Sequence, residues 1–214
     1  MRVSASACVR LRVILYLVEN TDIELLKSLL AKELGYLPGG DGIDALLRRG
    51  QLMDFRGGEA IIEAGYNCPD VYIVKDGIVR FIDMNGDKER TFAFAMAGTI
   101  FMSKHSFVMS RPSYYSVEAC CQTELLRISR NDFWNVVEEY KEVALWMLRY
   151  AYGELFYQEH KNAAVHNGSA RERYENMFGD RPEIIEKVPQ KIIASYLGVT
   201  PEYFSRLKKE YFHR

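Results

Sequence analysis

The feature that most limits this chain is a run of short, strand-like segments between residues 51 and 128. Apolar and β-branched stretches at 51–55, 60–63, 71–75, 78–83, 89–95, 114–119 and 124–128 are divided by Arg56-Gly57-Gly58, Gly65, Asp76-Gly77, Asn85-Gly86 and Ala97-Gly98. Turn signals at this interval predict a sandwich or barrel of antiparallel strands. Asp-Gly and Asn-Gly between strand-like runs predict a hairpin at each place. A parallel α/β sheet would need a helix between strands, and this stretch is read as having no window for one.

The flanks carry a different period. Residues 1–40 read as a helical extension, with Val13, Ile14, Leu17, Ile23, Leu25, Leu26, Leu29 and Leu30 at three- and four-residue steps. Asn20 or Thr21 is the expected cap, with Glu24 completing a box, and Pro38-Gly39-Gly40 the stop. A short helix over 43–49 follows, and the β-region proper spans 41–128. Residues 129–166 read as one long helix, capped by Ser129 with Asp132 at the box position. Its stripe runs through Phe133, Val136, Val137, Tyr140, Val143, Met147, Leu148, Ala151 and Leu155. So long a helix has more apolar face than one neighbour covers, which predicts a seam for a second copy of the chain. Tyr140, Met147, Leu148 and Ala151 are expected near the dimer axis. The alternative is a helix kinked at Gly153 inside a monomer.

Residues 167–214 contain the most informative string, beginning at Pro189. Ile193, Ala194 and Leu197 would face a core, and small Ala194 lets a second helix cross close by. Gly198 suits positive φ at a helix end. Thr200 caps a second helix that opens on Pro201, with Phe204 and Leu207 turned inward. Two helices joined by a short glycine turn form a helix-turn-helix, whose second helix enters the DNA major groove. The candidate DNA contacts are Thr200, Glu202, Tyr203, Ser205, Arg206, Lys208 and Lys209. Arg206 can offer two hydrogen bonds to a guanine edge, Glu202 can accept from a cytosine amine, and Lys208 and Lys209 suit phosphates. From Lys191 to Arg214 five basic residues face two acidic ones.

That positive patch is local. The 214 residues carry 28 basic and 29 acidic side chains, a formal charge of −1, which excludes a protein basic over its whole surface. Cys8, Cys68, Cys120 and Cys121 have no metal-binding spacing and read as thiols in a reducing compartment; adjacent Cys120 and Cys121 would point to opposite faces if they sat on a strand. The four histidines add no metal site, and no cofactor is expected. No stretch is long and apolar enough to span a membrane, and the N-terminus lacks a cleavage pattern, so a cytoplasmic protein is expected. No catalytic motif is present: there is no G-x-S-x-G, no phosphate loop and no H-E-x-x-H, so an enzyme is not expected.

The order of short helix, small β-roll, long helix and C-terminal helix-turn-helix resembles the CRP/FNR family of bacterial transcription regulators. The resembling residues are Gly57-Gly58-Glu59 through Gly65, Val71 through Val79, Asp83 through Glu89, and Ile193 through Leu207. The resemblance implies an α+β chain: an N-terminal jelly-roll (double-stranded β-helix) sensor of the cyclic-nucleotide-binding type, a dimerisation helix and a DNA-binding domain. It implies a homodimer on double-stranded DNA with an inverted-repeat operator, and RNA polymerase as a further partner.

In cyclic-AMP-binding relatives a Gly-Glu pair takes the ribose and an Arg-Ser or Arg-Thr pair takes the phosphate. The matching positions here are Met102-Ser103 and Ser113-Tyr114, and all four depart. Arg111 is two positions off, and Glu118 would repel a phosphate. Tyr114 is expected to fill part of the phosphate space. These departures argue against cyclic AMP or cyclic GMP. An unidentified, more apolar effector would then use Met96, Phe101, Met102, Ser103, Arg111, Ser113, Tyr114 and Tyr115, or the pocket is closed. The rival function is a ligand-binding or scaffolding roll whose helix-turn-helix has no DNA role.

Overall fold

In the computed structural model, which describes residues 15–16, 18–85, 88–165 and 170–212, the strand-like region forms two antiparallel sheets packed face to face. One holds β1 (Leu15–Tyr16), β2 (Gln51–Phe55), β4 (Val71–Asp76), β7 (Ile100–Phe101) and β9 (Thr123–Ile128), in the order β1-β2-β9-β4-β7. The other holds β3 (Ala60–Ile62), β5 (Ile78–Asn85), β6 (Lys88–Met96) and β8 (Ser116–Ala119), in the order β3-β8-β5-β6. From β2 onward successive strands change sheet except at β5–β6, which is the hairpin expected at Asn85-Gly86 and pairs Asn85 with Lys88.

Asp76-Gly77 makes no hairpin. β4 pairs with β7 and β9, and the chain crosses to the other sheet at Gly77. Gly77 has φ +91°, and an added Cβ would meet the Thr123 hydroxyl at 2.5 Å and the Gln122 carbonyl at 2.6 Å. The glycine is there for a tight crossing, which a dipeptide signal cannot distinguish from a hairpin.

Alternation along each strand sends one set of side chains between the sheets and the other outward. Met53, Phe55, Ile61, Tyr72, Val74, Val79, Phe101, Val117 and Leu125 fill the interior. The outer face of the five-stranded sheet, through Leu52, Val71, Ile73, Leu126 and Ile128, is covered by helices. These are α1 (Asn20–Leu34), α2 (Gly42–Arg48), α3 (Lys104–Met109), α4 (Arg130–Glu139) and α5 (Lys141–Val165). The outer face of the four-stranded sheet, through Ile78 and Met96, is covered by the C-terminal helices. These are α6 (Ala170–Asp180), α7 (Pro182–Lys187), α8 (Gln190–Leu197) and α9 (Pro201–Phe212).

Four expectations need correction. The stretch around residue 15 is a strand, with Leu15 opposite Met53 and Tyr16 opposite Leu52; Val13, Ile14 and Leu17 lie outside the described residues. Helix α1 is capped one residue earlier than expected, with the Glu19 N–H donating to Asp22 at 2.9 Å. A short helix, α3, does occupy the β-region. The helix expected over 129–166 is broken at Tyr140, which has φ −119° and ψ 101°, and not at Gly153, which continues α5. The break turns both Phe133 and Val136 of α4 and Val143 and Trp146 of α5 onto the same sheet. Gly42 lets α2 enter the corner, since a Cβ there would lie 2.6 Å from Val143 Cγ2 and 2.9 Å from Tyr140 Cβ. Ser129 caps α4 as expected, accepting from the Asp132 N–H at 3.1 Å.

The cysteines also differ. Cys120 and Cys121 follow the end of β8 in a bend, so the strand condition for opposite faces is not met, and both pack against the C-terminal cluster. Both are free, and burial pushes the Cys120 thiol up to about 12. Cys68 is buried and disulfide-bonded, not a thiol.

Candidate nucleic-acid interface and effector site

The C-terminal pair of helices is built from its turn outward. Gly198 ends α8 in the left-handed region, φ 67° and ψ 33°. The Val199 N–H reaches back to the Ala194 carbonyl at 3.0 Å. The Thr200 hydroxyl accepts from the Tyr203 N–H at 3.2 Å and starts α9, where Pro201 needs no donor. Ile193, Ala194, Leu197 and Phe204 are buried in one cluster with Tyr174, Ile184 and Ile185. Phe204 meets the Tyr174 ring edge-on at 5.7 Å.

With Phe204 and Leu207 inside, α9 presents Glu202, Tyr203, Arg206 and Lys209 to solvent, next to exposed Thr200. Ser205 and Lys208 are half-buried flanks, and the Ser205 hydroxyl donates to Gln190 Oε1 at 3.5 Å. The Arg206 guanidinium lies 5.5 Å from the Tyr203 ring, which holds the side chain along the helix face without taking its hydrogen-bond donors. Its own backbone N–H and the Thr200 hydroxyl hold Glu202 below the usual carboxylate range. Arg173 of α6 was not anticipated. It donates to the Leu197 carbonyl at 2.8 Å and so satisfies the end of α8, a contact between distant positions that leaves no local pattern.

The eight candidate effector residues do not converge on one pocket. Phe101 and Tyr115 belong to the roll interior, Met102 to the helix-covered face, and Met96 to the C-terminal cluster. Strand alternation is the reason, because Phe101 and Met102 must point to opposite sides. Ser103 and Ser113 are buried but engaged. Ser103 caps α3, and Ser113 donates to the Tyr115 carbonyl at 2.7 Å. Arg111 is exposed.

Tyr114 does not fill the interior. It is 76% exposed and stacks on His105 with ring centroids 4.1 Å apart. Its neighbour Tyr115 turns inward instead, donating to the Met102 carbonyl at 2.7 Å and packing against Phe81 and Phe92. Phe81 in turn meets Phe101, which stacks on Tyr72. A chain of rings thus runs through the end of the roll where α3 enters. Burial pushes the Tyr115 phenol up to about 12. Glu118 lies on the outer face and is bridged to Arg80 at 2.9 Å, so it does not face the interior.

Of the four expected dimer residues, Tyr140 and Met147 pack toward the sheet, while Leu148 and Ala151 are exposed. The exposed apolar stripe of α5 is Leu145, Leu148, Tyr152 and Leu155.

Residues 52–140 match the family described as the cyclic nucleotide-binding domain. Solved structures extend the likeness over most of the chain. FixK2 from Bradyrhizobium japonicum is 22% identical with a TM-score of 0.63, covering 75% of this chain and 83% of its own. A CooA mutant from Carboxydothermus hydrogenoformans is 21% identical with a TM-score of 0.60, covering 86% and 84%. The Thermus thermophilus catabolite activator protein is 21% identical with a TM-score of 0.54, covering 83% and 85%. The fold is therefore shared with these proteins, roll and C-terminal helices together. No curated protein matches the chain. Among the described residues no helix is long and apolar enough to cross a membrane, and no group of three His, Cys, Asp or Glu side chains could hold a metal.

Proposed function

We propose that this chain is a dimeric, sequence-specific DNA-binding regulator that reads an inverted repeat with α9. The observation that carries the reading is the division of α9 into two faces. Phe204 is sealed into the cluster beneath it and Leu207 is buried, while Arg206, Glu202, Tyr203 and Lys209 are exposed on the outside with donors and acceptors suited to base edges and phosphates. A second copy joins along Leu145, Leu148, Tyr152 and Leu155, and two-fold symmetry then makes the operator a palindrome. RNA polymerase is the further partner this reading calls for. Activation or repression follows from where the operator lies.

The roll is proposed not to take cyclic AMP or cyclic GMP. No cationic side chain among the eight candidates faces the interior, and the Tyr115, Phe81, Phe92 and Phe101 rings occupy the end where α3 enters. A phosphate there would lack both charge partner and donors.

Selection from random duplexes with the purified full chain tests the reading. Recovery of half-sites about one duplex turn apart supports it. Equal retention of all sequences at physiological salt contradicts it and favours a roll with a non-functional helix pair.

A further inference from the structure

The helix pair does not hang from α5 alone. Strand β6 is the last strand of the four-stranded sheet, so one of its edges has no strand partner among the described residues. Its register slips between Phe81 and Ile82, whose partners are Ala93 and Thr91, leaving Phe92 as an extra residue. Beside this bulge the Thr91 N–H points out of the sheet and donates to Ser195 Oγ of α8 at 3.1 Å. One turn of strand chemistry later, the Phe94 ring meets Tyr196 of α8 at 5.2 Å. Ile78, Met96 and Cys120 of the roll complete the cluster that buries Ile193, Ala194 and Leu197. A second tie lies elsewhere: Arg181, just before α7, grips Glu33 of α1 through both carboxylate oxygens at 2.9 and 3.1 Å.

We infer that Ser195 and Tyr196 are positioning residues that dock α8 on the β6 edge and thereby set the distance and angle at which α9 meets DNA. The inference rests on the dimeric DNA-binding reading. Its physical basis is continuity. The α5 seam is fixed to one sheet through Val143 and Trp146, the sheets share one interior, and the second sheet shares its outer cluster with α8 and α9. Along this path packed side chains link α5 to α9, and the docked state leaves the exposed side of α9 uncovered. Such a dimer discriminates half-site spacing, because one inserted base pair rotates a half-site by about 34° and moves it about 3.4 Å.

The test uses full-length protein and the palindrome recovered by selection, with its spacer lengthened or shortened by one base pair. Wild type should lose about tenfold or more in affinity at either altered spacing. Ser195→Ala combined with Tyr196→Ala should reduce that penalty to about threefold or less, with affinity for a single half-site unchanged within about twofold. Amide exchange at Thr91 should be slow in wild type and faster in the double variant. Thr91→Val keeps the amide and removes a buried hydroxyl that has no partner among the described residues, so it should retain the sharp spacing preference. Unchanged spacing discrimination despite faster Thr91 exchange would overturn the positioning role. Fast Thr91 exchange in wild type would overturn the docking itself. Absence of any sequence preference in wild type would overturn the DNA reading, and with it the role assigned to docking, whatever the exchange shows.

Discussion

The loop from Met102 to Tyr115 and the turn from α8 to α9 are built from similar parts, yet they present opposite surfaces. Each has a hydroxyl cap, Ser103 or Thr200, and a left-handed residue at a helix end, Ser110 or Gly198. In the loop the polar groups are consumed internally. Ser106 donates to the Arg111 carbonyl, Ser113 to the Tyr115 carbonyl, and Tyr115 to the Met102 carbonyl. In the helix pair the backbone is satisfied by the turn itself, by Thr200 and by Arg173, so the Arg206 donors remain available to a partner, while the Glu202 carboxylate, which already accepts from its own N–H and the Thr200 hydroxyl, offers its remaining lone pairs. A surface can recognise a polar ligand only with groups its own fold does not use. By that measure the loop is closed to a polar ligand, and the α9 face proposed to read DNA is open.

The contrast can be broken most forcefully at Phe204, which is fully buried. Phe204→Ala should cost about 3–5 kcal/mol of stability in the C-terminal helices and abolish operator binding. Denaturant unfolding followed at the helices checks this, and a variant of wild-type stability would refute the two-faced account of α9. Next in size is Arg206→Ala, expected to cost about 1–3 kcal/mol per half-site and to relax preference at one base pair. Repeating the selection with the variant decides it, since recovery of the same half-site would remove Arg206 from base reading.

On the loop side, Tyr115→Phe should lower stability by about 1 kcal/mol and leave operator affinity unchanged, because the lost hydroxyl bonds the Met102 carbonyl and the Lys104 N–H, neither of them in the helix pair. Chemical denaturation and DNA titration of the same sample measure both. The smallest expected effect is at Glu202. Its carboxyl is held below the usual range, so it stays ionised as pH falls from about 7.5 to about 5.5. The base preferred opposite it should not change over that interval, and a change would show that Glu202 does not set it.

Legibility in the sequence followed the range of the interactions. The helix pair is local. Ile193, Ala194 and Leu197 at three- and four-residue helical steps, a glycine turn and a Thr-Pro start fix which side chains face in, and the structure turns them that way. The strand segments were legible for the same reason, since alternation and turns act over a few residues. Non-local features were not. Whether Asp76-Gly77 turns a hairpin or crosses between sheets depends on which strand waits opposite. Tyr140 breaks the long helix because two helices must face one sheet, a demand absent from a heptad-like stripe. Counting along the loop placed Tyr114 and Tyr115 together at the pocket, but only Tyr115 turns in, because α3 and the Ser113 turn shift the direction of each side chain.

The central claim is an open reading face on a chain whose ligand loop is closed to cyclic nucleotides. Its most direct test is fluorescence anisotropy of the selected operator with full-length protein, with and without saturating cyclic AMP or cyclic GMP. The account predicts a specific dissociation constant of about 10⁻⁸ M or tighter at physiological salt, the same in all three conditions. A shift of about tenfold or more on adding either nucleotide would contradict it, because only a ligand that distinguishes the DNA-competent state from others can move that equilibrium.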